Sequence, residues 1–348
     1  MRRFSGPVVL LSLLLTARGL SAQETLIRGF TDVTAAASDA SGAHSTFALG
    51  QYDLFITSAL APKWSFLGES VFEFDEDFVV DVERLIISYR PSSHVQIAVG
   101  KHHTPFGYWN NAYHHGALMQ PTIERPDMFL FEDDGGILPI HTTGLLIAGR
   151  DLTPLHLGFD MMVGNGIGST AISDNNAAKS VTLSLHSQVT HEVNVGVNYY
   201  DDRIEPGTPQ IYGSPIDTVL PGGDTVATAL RQQMFGAYAV YFGRALELMA
   251  EYQRITHVPV SGGVTTTNDA FYVYGGYRVG KFVPYVRYDG LLFDAADLYY
   301  LADDSHLLIM GGRYDFAATV QIKVEYHHRS TSVEGKVNAV QVQAAIGF

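Results

Sequence analysis

The last nine residues of the chain alternate between apolar and polar or small side chains. Successive side chains of a β-strand point to opposite faces, so this pattern predicts a strand with one apolar and one wetter face. The apolar face carries Val340, Val342, Ala344, Ile346 and Phe348, and the other carries Gln341, Gln343 and Gly347. Such a strand fits at a boundary between water and an apolar medium.

The same alternation recurs in about sixteen segments of roughly ten residues. The clearest apolar faces are Trp64, Phe66, Phe72 and Phe74; Leu155, Leu157, Phe159, Met161 and Val163; Val181, Leu183 and Leu185; Leu246, Leu248, Ala250 and Tyr252; and Val320, Ile322, Val324 and Tyr326. The opposite faces carry Glu69 and Glu73; His156 and Asp160; Thr182, Ser184 and His186; Glu247, Glu251 and Gln253; and Gln321, Lys323 and Glu325. The segments near residues 27–35 and 234–242 have no clear apolar face.

Strands can cross a membrane only as a closed barrel. Lipid offers no hydrogen-bond partners, so the backbone groups of the strands must bond to one another. An ionised side chain on the lipid face costs about 2 to 4 kcal/mol at mid-depth, which assigns the charged faces to a wet interior. We therefore predict an all-β fold, a transmembrane antiparallel β-barrel of about sixteen strands, wide enough for an aqueous channel. A soluble β-sandwich or barrel is the alternative.

The connections between the segments alternate between short and long, which a soluble fold does not explain. The short turns, expected in the periplasm, are residues 61–63, 91–93, 151–153, 190–191, 243–244, 279–280 and 314–316. The connections expected outside are residues 38–44, 75–77, 103–136, 165–177, 202–227, 257–268, 291–304 and 329–334.

The amino terminus has the layout of a secretory signal peptide. Arg2 and Arg3 precede an apolar run at residues 8–15, and small residues follow up to Ala22. We predict a signal peptide at residues 1–22 and a barrel at residues 23–348. Without the signal, nineteen basic residues face 36 acidic ones, which disfavours nucleic acid as a partner. The absence of cysteine excludes disulfides and thiolate metal sites.

The long third outer connection begins with a short family signature. Residues 99–107, Val-Gly-Lys-His-His-Thr-Pro-Phe-Gly, resemble the strand-to-loop junction of the phosphate-selective porin family. The architecture as a whole is similar to that of sixteen-stranded porins from the outer membrane of Gram-negative bacteria. The resemblance implies a third loop that folds into the lumen and narrows the pore. It also implies that the terminal Phe348 is read by the barrel-assembly machinery, and that the protein is a homotrimer among outer-membrane lipid and lipopolysaccharide.

The composition of the third loop agrees with an inward position. Its large apolar side chains are too numerous to leave in water. Its acidic residues Glu124, Asp127, Glu132, Asp133 and Asp134 are the candidate pore constriction. The candidate pore wall consists of Arg287, Arg313 and Lys323 together with Glu247 and Glu251. These bases either create a transverse field across the pore or pair with nearby acids, and the second interpretation is favoured. A solvated outer loop is the alternative for the whole segment.

Histidines gather around the same loop at His102, His103, His114, His115 and His141. Imidazole and carboxylate are ligands for zinc or copper, but the spacing matches no ligand motif on one element. Amphipathic packing at the loop rim is therefore favoured, and no cofactor is expected.

Two pairs are candidate catalytic groups, Ser184 with His186 and Asp160 with His156. Each pair shares one strand face at a separation beyond direct hydrogen-bond reach, so we expect no enzyme activity.

These observations predict an outer-membrane porin for passive diffusion of small hydrophilic solutes or ions. The arginine series of phosphate-selective pores has no counterpart among the predicted lumen positions, and acids are in excess, which favours a weak preference for cations. The alternative is a non-conducting barrel that acts as a receptor, a scaffold or a metal-binding protein.

Deletion of Phe348 tests the assembly signal. We expect it to reduce barrel insertion much more than deletion of the outer connection around Gly213, because only the former removes the aromatic end of the closing strand. The measurement is the membrane yield of heat-modifiable protein. Equal yields of the two variants would contradict the porin assignment.

Overall fold

The computed structural model describes residues 24–74, 78–114, 116–130, 137–138, 140–170, 172–212, 225–332 and 335–348. The predicted signal peptide lies outside these residues, as do His115, Glu132, Asp133 and Asp134. No helix in the described part of the chain is long and apolar enough to cross a membrane.

The described residues form mostly long strands. In chain order they are β1 (Thr25–Ser38), β2 (Thr46–Ala61), β3 (Trp64–Phe74), β4 (Phe78–Tyr89), β5 (Val95–His103), β6 (His141–Gly149), β7 (Leu157–Gly164), β8 (Ser180–Gln188), β9 (Val193–Ile204), β10 (Ile211–Tyr212), β11 (Leu230–Phe242), β12 (Leu246–Pro259), β13 (Thr266–Tyr277), β14 (Phe282–Leu292), β15 (Tyr300–Leu301), β16 (Ser305–Ala317), β17 (Val320–Thr331) and β18 (Gly335–Gly347). A short helix, α1 (Tyr108–Ala112), and a 3-10 turn at Asp127–Phe129 lie in the third loop.

Sixteen of these strands close into one antiparallel barrel, which confirms the predicted fold class. Each strand pairs with its neighbours in sequence, apart from the two-residue strands β10 and β15, which pair with each other in parallel. The ring closes between β1 and β18, with Phe30 opposite Gly347 and Ala35 opposite Val342. Closure gives every strand two hydrogen-bonded neighbours, as a lipid environment requires.

Phe348 completes this closing seam. Its amide donates to the carbonyl oxygen of Gly29 at 2.9 Å, and the Gly29 amide donates to the Phe348 carbonyl oxygen at 2.9 Å. The Phe348 ring lies 5.6 Å from the Tyr52 ring. A side chain on Gly29 would meet the Phe348 ring 2.4 Å away, so glycine leaves room for the terminal aromatic group.

The faces of the strands follow the predicted parity. Leu183, Leu248 and Val324 are between 42% and 48% exposed on the outer surface, whereas Glu247 and Glu325 are buried inside. The outer surface is therefore an apolar belt suited to lipid, and charged groups lie in the interior. On β1, whose faces the sequence left ambiguous, Thr31 and Ala35 are paired with the outward-facing Ile346 and Val342. Thr31 and Ala35 therefore lie on the outer face of the barrel.

Two sequence-based expectations were wrong in detail. β16 continues through a register irregularity near Asp315 to Ala317, so its turn lies at residues 318–319 and not at 314–316. His156 precedes β7 in a turn, where its φ is 52° and its Nδ1 lies 2.9 Å from Asp151 Oδ1. It therefore does not share a strand face with Asp160.

The interior of the barrel contains a hydrophobic core. The third loop contributes Phe106, Trp109, Met128 and Phe129, and the facing wall contributes Tyr200, Leu230, Met234, Tyr272 and Ile309. This core explains why residues 234–242 had no clear apolar face: Met234 is buried inside while Phe235 is exposed outside. On this side of the barrel both faces of a strand meet apolar surroundings.

Arginine at adjacent positions tests which face meets lipid. Leu183→Arg should destabilise the folded barrel by about 2 to 4 kcal/mol if the site is at mid-depth, because a cation would face hydrocarbon. Ser184→Arg should be tolerated better, since Ser184 faces the interior opposite Asp160. Urea unfolding in lipid vesicles, followed by tryptophan fluorescence, measures the difference. The reverse order of stability would show that the two faces are inverted.

Candidate channel constriction

The third loop leaves β5 and turns directly into the barrel. Gly107 has a φ of 78°, and a Cβ there would meet the Phe129 ring at 2.7 Å and a Glu251 carboxylate oxygen at 2.8 Å. Glycine is therefore required at this close approach. The turn brings α1 against the wall strands β12 and β13, where Trp109 packs edge-on against Tyr272 at 5.8 Å between ring centroids.

Glu251 fastens the start of α1 to the wall. Its carboxylate accepts hydrogen bonds from the backbone amides of Tyr108 at 2.6 Å and Trp109 at 2.7 Å. The Tyr272 hydroxyl also donates to it at 2.7 Å. Glu251 lies on the predicted wall, but the loop covers it and leaves it 4% exposed. Its structural role is to satisfy two backbone amides that the loop has taken out of water.

Arg287 holds the next part of the loop. Its guanidinium donates to the carbonyl oxygens of Glu124 at 2.6 Å and Arg125 at 2.9 Å, and to the Thr122 hydroxyl at 2.5 Å. The same group pairs with Asp289 at 2.9 Å. Arg287 is fully buried, so it binds the loop and not the channel space. The five donors of arginine suit a segment that presents several carbonyl oxygens at once.

Lys323 and Glu325 bind the loop from β17, which is separated from β14 by β16. The ammonium of Lys323 donates to the carbonyl oxygens of Ala117 and Thr122. Glu325 accepts a hydrogen bond from the Ile123 amide at 2.7 Å. Together, a cation and an anion from one strand satisfy both kinds of backbone group in segment 117–123.

The acids of the loop tip that the structure describes also contact the wall. Asp127 forms a buried ion pair with Arg329, and its backbone amide donates to Asp289 at 3.1 Å. Glu124 accepts a hydrogen bond from Gln341 and lies 3.6 Å from His327. The side chain of Glu124 is 40% exposed. Of these two acids, Glu124 is the one that reaches accessible space.

Arg313 and Glu247 lie below the loop, towards the short turns. Arg313 donates to Glu247 at 3.0 Å and to Asp315 at 3.2 Å, and Arg278 bridges the same two acids. These four residues line a cavity of about 390 Å³, together with Tyr113, Leu118 and Met119 of the loop. The predicted wall bases Arg287 and Arg313 are thus both paired with acids, and Lys323 is bound to loop carbonyls.

The loop between β14 and β16 is also held against the barrel wall. Asp297 accepts hydrogen bonds from Thr266 at 2.6 Å, Asn268 at 2.8 Å and the backbone amides of Tyr299 and Tyr300 at 2.8 Å each, and it pairs with His257. Burial opposes ionisation of Asp297, but the contact with His257 and these hydrogen bonds hold the pKa of its carboxyl below the usual value. The ionised carboxylate organises the loop that carries β15.

The two candidate catalytic pairs do not form as predicted: His156 contacts Asp151, and His186 contacts Asp160. His186 Nε2 lies 3.4 Å from Asp160 Oδ2 across β7 and β8, and Asp160 also pairs with Arg150 at 2.6 Å. Arg150 provides the positive charge that compensates this carboxylate, and His186 lies beside it. Of the candidate histidines, His103 and His114 come together with His141, whereas His102 is buried beside them.

Solved structures of outer-membrane proteins match the barrel over nearly its whole length. OmpT of Vibrio cholerae, expressed in the outer membrane, gives a TM-score of 0.67 at 14% identity, covering 94% of this chain and 99% of that chain. The anion-selective porin from Comamonas acidovorans gives a TM-score of 0.66 at 12% identity, covering 94% and 100%. The outer membrane channel DcaP of Acinetobacter baumannii gives 0.64 at 12% identity, covering 94% and 97%. The chain has the fold of an outer-membrane porin.

The similarity between this chain and these solved structures is limited to the fold. No family model matches the sequence, and no curated protein matches it. At 12–14% identity the shared architecture carries no information on the solute or on selectivity. The residues that hold the loop in this chain must be taken from its own contacts.

Sequence reasoning missed several of these loop anchors. Arg329, Asp289 and Asp297 were not among the predicted site residues, although all three contact loop backbone or loop side chains. Arg329 and Asp289 have interior parity on their strands, so they could have been found as charged partners for an inward loop. Asp297 lies in an irregular loop, where no periodicity indicates its direction.

The ion pair of Asp127 and Arg329 gives a direct test of loop docking. Arg329→Gln should destabilise the loop by about 3 to 5 kcal/mol, because it leaves the buried Asp127 carboxylate without its cation. The double variant Asp127→Asn, Arg329→Gln should recover most of this loss, since no charge is left buried. Protease cleavage within the third loop of the folded barrel measures how often the loop leaves the wall. Equal cleavage of wild type and Arg329→Gln would show that the pair does not hold the loop.

Proposed function

We propose that the protein is a porin of the bacterial outer membrane that lets small hydrophilic solutes or ions diffuse through a channel narrowed by its third loop. The observation that carries the proposal is a sixteen-stranded barrel whose charged inner wall binds a long loop inside the lumen. An apolar outer belt supports insertion in lipid, and a charged lumen supports passage of water and ions.

A narrow polar path is supported along strands β16 to β18. The cavity of about 390 Å³ that contains Arg313 and Asp315 lies on one side of loop segment 117–124. A second cavity of about 190 Å³, lined by Glu124, His327 and Arg329, lies on the other side. The contacts of Lys323 with the loop separate the two cavities.

A weak preference for cations follows from the charges along this path. Glu124 is partly exposed in the second cavity, and the wall bases are engaged by acids or loop carbonyls. The acidic run Glu132, Asp133 and Asp134 belongs to the same loop and is included in the proposed constriction, although it lies outside the described residues. Fixed negative charge between low-dielectric walls concentrates cations.

The cellular setting is part of the same proposal. We expect export by the signal at residues 1–22, insertion by the barrel-assembly machinery through Phe348, and contact with lipid and lipopolysaccharide. OmpT of Vibrio cholerae has a structure in a trimer form, and a homotrimer is proposed for this chain as well. Of the small residues Gly29, Thr31 and Ala35 on β1, Thr31 and Ala35 would allow close packing between copies, whereas the Phe348 ring occupies the space over Gly29.

A non-conducting barrel is the second candidate, and one observation favours it. Wall residues behind the loop, including Glu251, Arg287 and Lys323, are at most 4% exposed. A lumen filled in this way could serve a receptor or scaffold without passing solutes. In a porin a continuous path for solutes runs past the loop through the lumen, whereas in a non-conducting barrel the loop blocks that path.

Single-channel recording in planar bilayers separates these candidates. We expect small, cation-preferring conductance for the refolded wild type. Shortening the loop between Asn110 and Glu132 should enlarge the conductance, because it removes the material that fills the lumen. Replacing Glu132, Asp133 and Asp134 with Gln or Asn should lower cation preference, measured as the reversal potential in a salt gradient.

The control variant relies on the screening of distant charges by salt. A charge outside the channel is screened over about 10 Å at 0.1 M salt, so Glu205→Gln in an outer loop should leave the reversal potential unchanged. Unchanged conductance and reversal potential in both loop variants would contradict the constriction. A silent wild type that conducts only after the loop is shortened would favour the plugged barrel.

A further inference from the structure

Three imidazole side chains converge at the outer ends of β5 and β6. One ligand nitrogen from each of His103, His114 and His141 lies within 4.8 Å of the others. The ring centroids of His103 and His114 are 4.0 Å apart, and those of His114 and His141 are 4.6 Å apart. All three residues are wholly or partly buried.

The fold creates this cluster from distant parts of the loop. His103 ends β5, His141 begins β6, and the two are directly opposite in the strand register. His114 lies in the loop between them, after α1. Gly100, with a φ of 142°, interrupts regular β5 geometry between the exposed Val99 and His103. His103 therefore avoids the lipid face that Val99 occupies.

The surroundings set the orientation of two of the rings. Asn110 donates from Nδ2 to the Thr104 carbonyl oxygen at 2.8 Å, which directs its Oδ1 towards His114 Nδ1 at 2.9 Å. His114 therefore carries its proton on Nδ1 and a lone pair on Nε2. On the other side, His141 Nε2 lies 2.7 Å from a Glu83 carboxylate oxygen. Such outer partners fix the tautomer and orientation of histidines that bind metals.

Carboxylates next to the cluster would compensate a dication. Glu83 contacts His141, and Glu69 lies 3.8 Å from His103 while pairing with Arg84. Asp53 is buried nearby and interacts electrostatically with Glu69, Glu83 and Arg125. Glu83 and Glu69 thus flank the imidazoles, and Arg84 pairs with Glu69. With Glu83 engaged by His141, Glu69 could supply a fourth ligand oxygen.

We propose that His103, His114 and His141 bind one divalent transition-metal ion of the zinc, copper or nickel type. Three neutral imidazoles with a carboxylate or water are a donor set that these ions prefer over magnesium or calcium. Zinc–nitrogen bonds of about 2.0 to 2.1 Å place tetrahedral ligand atoms about 3.3 Å apart, so the rings need to approach by roughly 1.5 Å at most. His141 also lines a cavity of about 230 Å³ beneath the outer loops, which supplies an entry route.

The ion would act as a clamp on the third loop. It would join the last residue of β5, the first residue of β6 and the loop's own interior, and so shorten the free span of the loop. This role is separate from the proposed diffusion function, because a barrel that does not conduct could bind the ion equally well.

Zinc titration of the purified, chelator-stripped barrel tests the proposal. Calorimetry with zinc sulfate should show one ion per chain, and cobalt should give the intense visible absorption of a low-symmetry tetrahedral site. His114→Gln should weaken zinc binding by at least about tenfold. The exposed His191 in a periplasmic turn provides the matched control, since His191→Gln should bind as wild type does.

Folding and function are kept apart in this test. Heat-modifiable migration shows that the His114→Gln barrel is folded, and zinc should raise the unfolding temperature of the wild type but not of that variant. Failure of the wild type to bind zinc at millimolar concentration, or equal affinity in wild type and His114→Gln, would overturn the site. Neither zinc affinity nor unfolding temperature depends on conductance. A failure of the porin proposal would therefore not affect the conclusion about metal binding.

Discussion

The architecture depends on how a long loop satisfies its backbone inside a barrel. Peptide groups taken out of water need partners, and an unpaired one costs about 1 to 3 kcal/mol. Here the wall provides them: Glu251 accepts amide protons at α1, and Arg287 and Lys323 donate to carbonyl oxygens further on. These charged lumen residues therefore form hydrogen bonds with the loop backbone. The free space in the lumen is what this docking leaves.

The same contacts explain why charges on a pore wall are an incomplete guide to selectivity. Arg287 has interior parity, yet it is fully buried beneath the loop it binds. Arg313 is paired with Glu247 and Asp315 in the cavity below. By contrast, Glu124 is partly exposed although it comes from the loop itself. The effective charge of the path is set by the groups left over after pairing.

The barrel itself could be predicted from sequence because lipid imposes a strict rule on alternating strands. Leu248 and Glu247 show the rule in adjacent positions, one exposed to the outside and one buried inside. The rule failed at β11, where Met234 packs against an internal apolar core, so both faces had similar composition. The site was less predictable, because the contacts of Asp127 with Arg329 or of Thr122 with Arg287 join residues far apart in sequence. No periodicity encodes such pairings.

The aromatic contact between Trp109 and Tyr272 also fixes an order of events during biogenesis. The loop is synthesised in the first half of the chain, but the strands that receive it, β12 to β14, come much later. Loop closure over such distances is slow, and exposed aromatic groups favour aggregation in the meantime. The loop reaches its final position only when the second half of the barrel is in place, because its partners Glu251, Tyr272 and Arg287 lie on β12, β13 and β14.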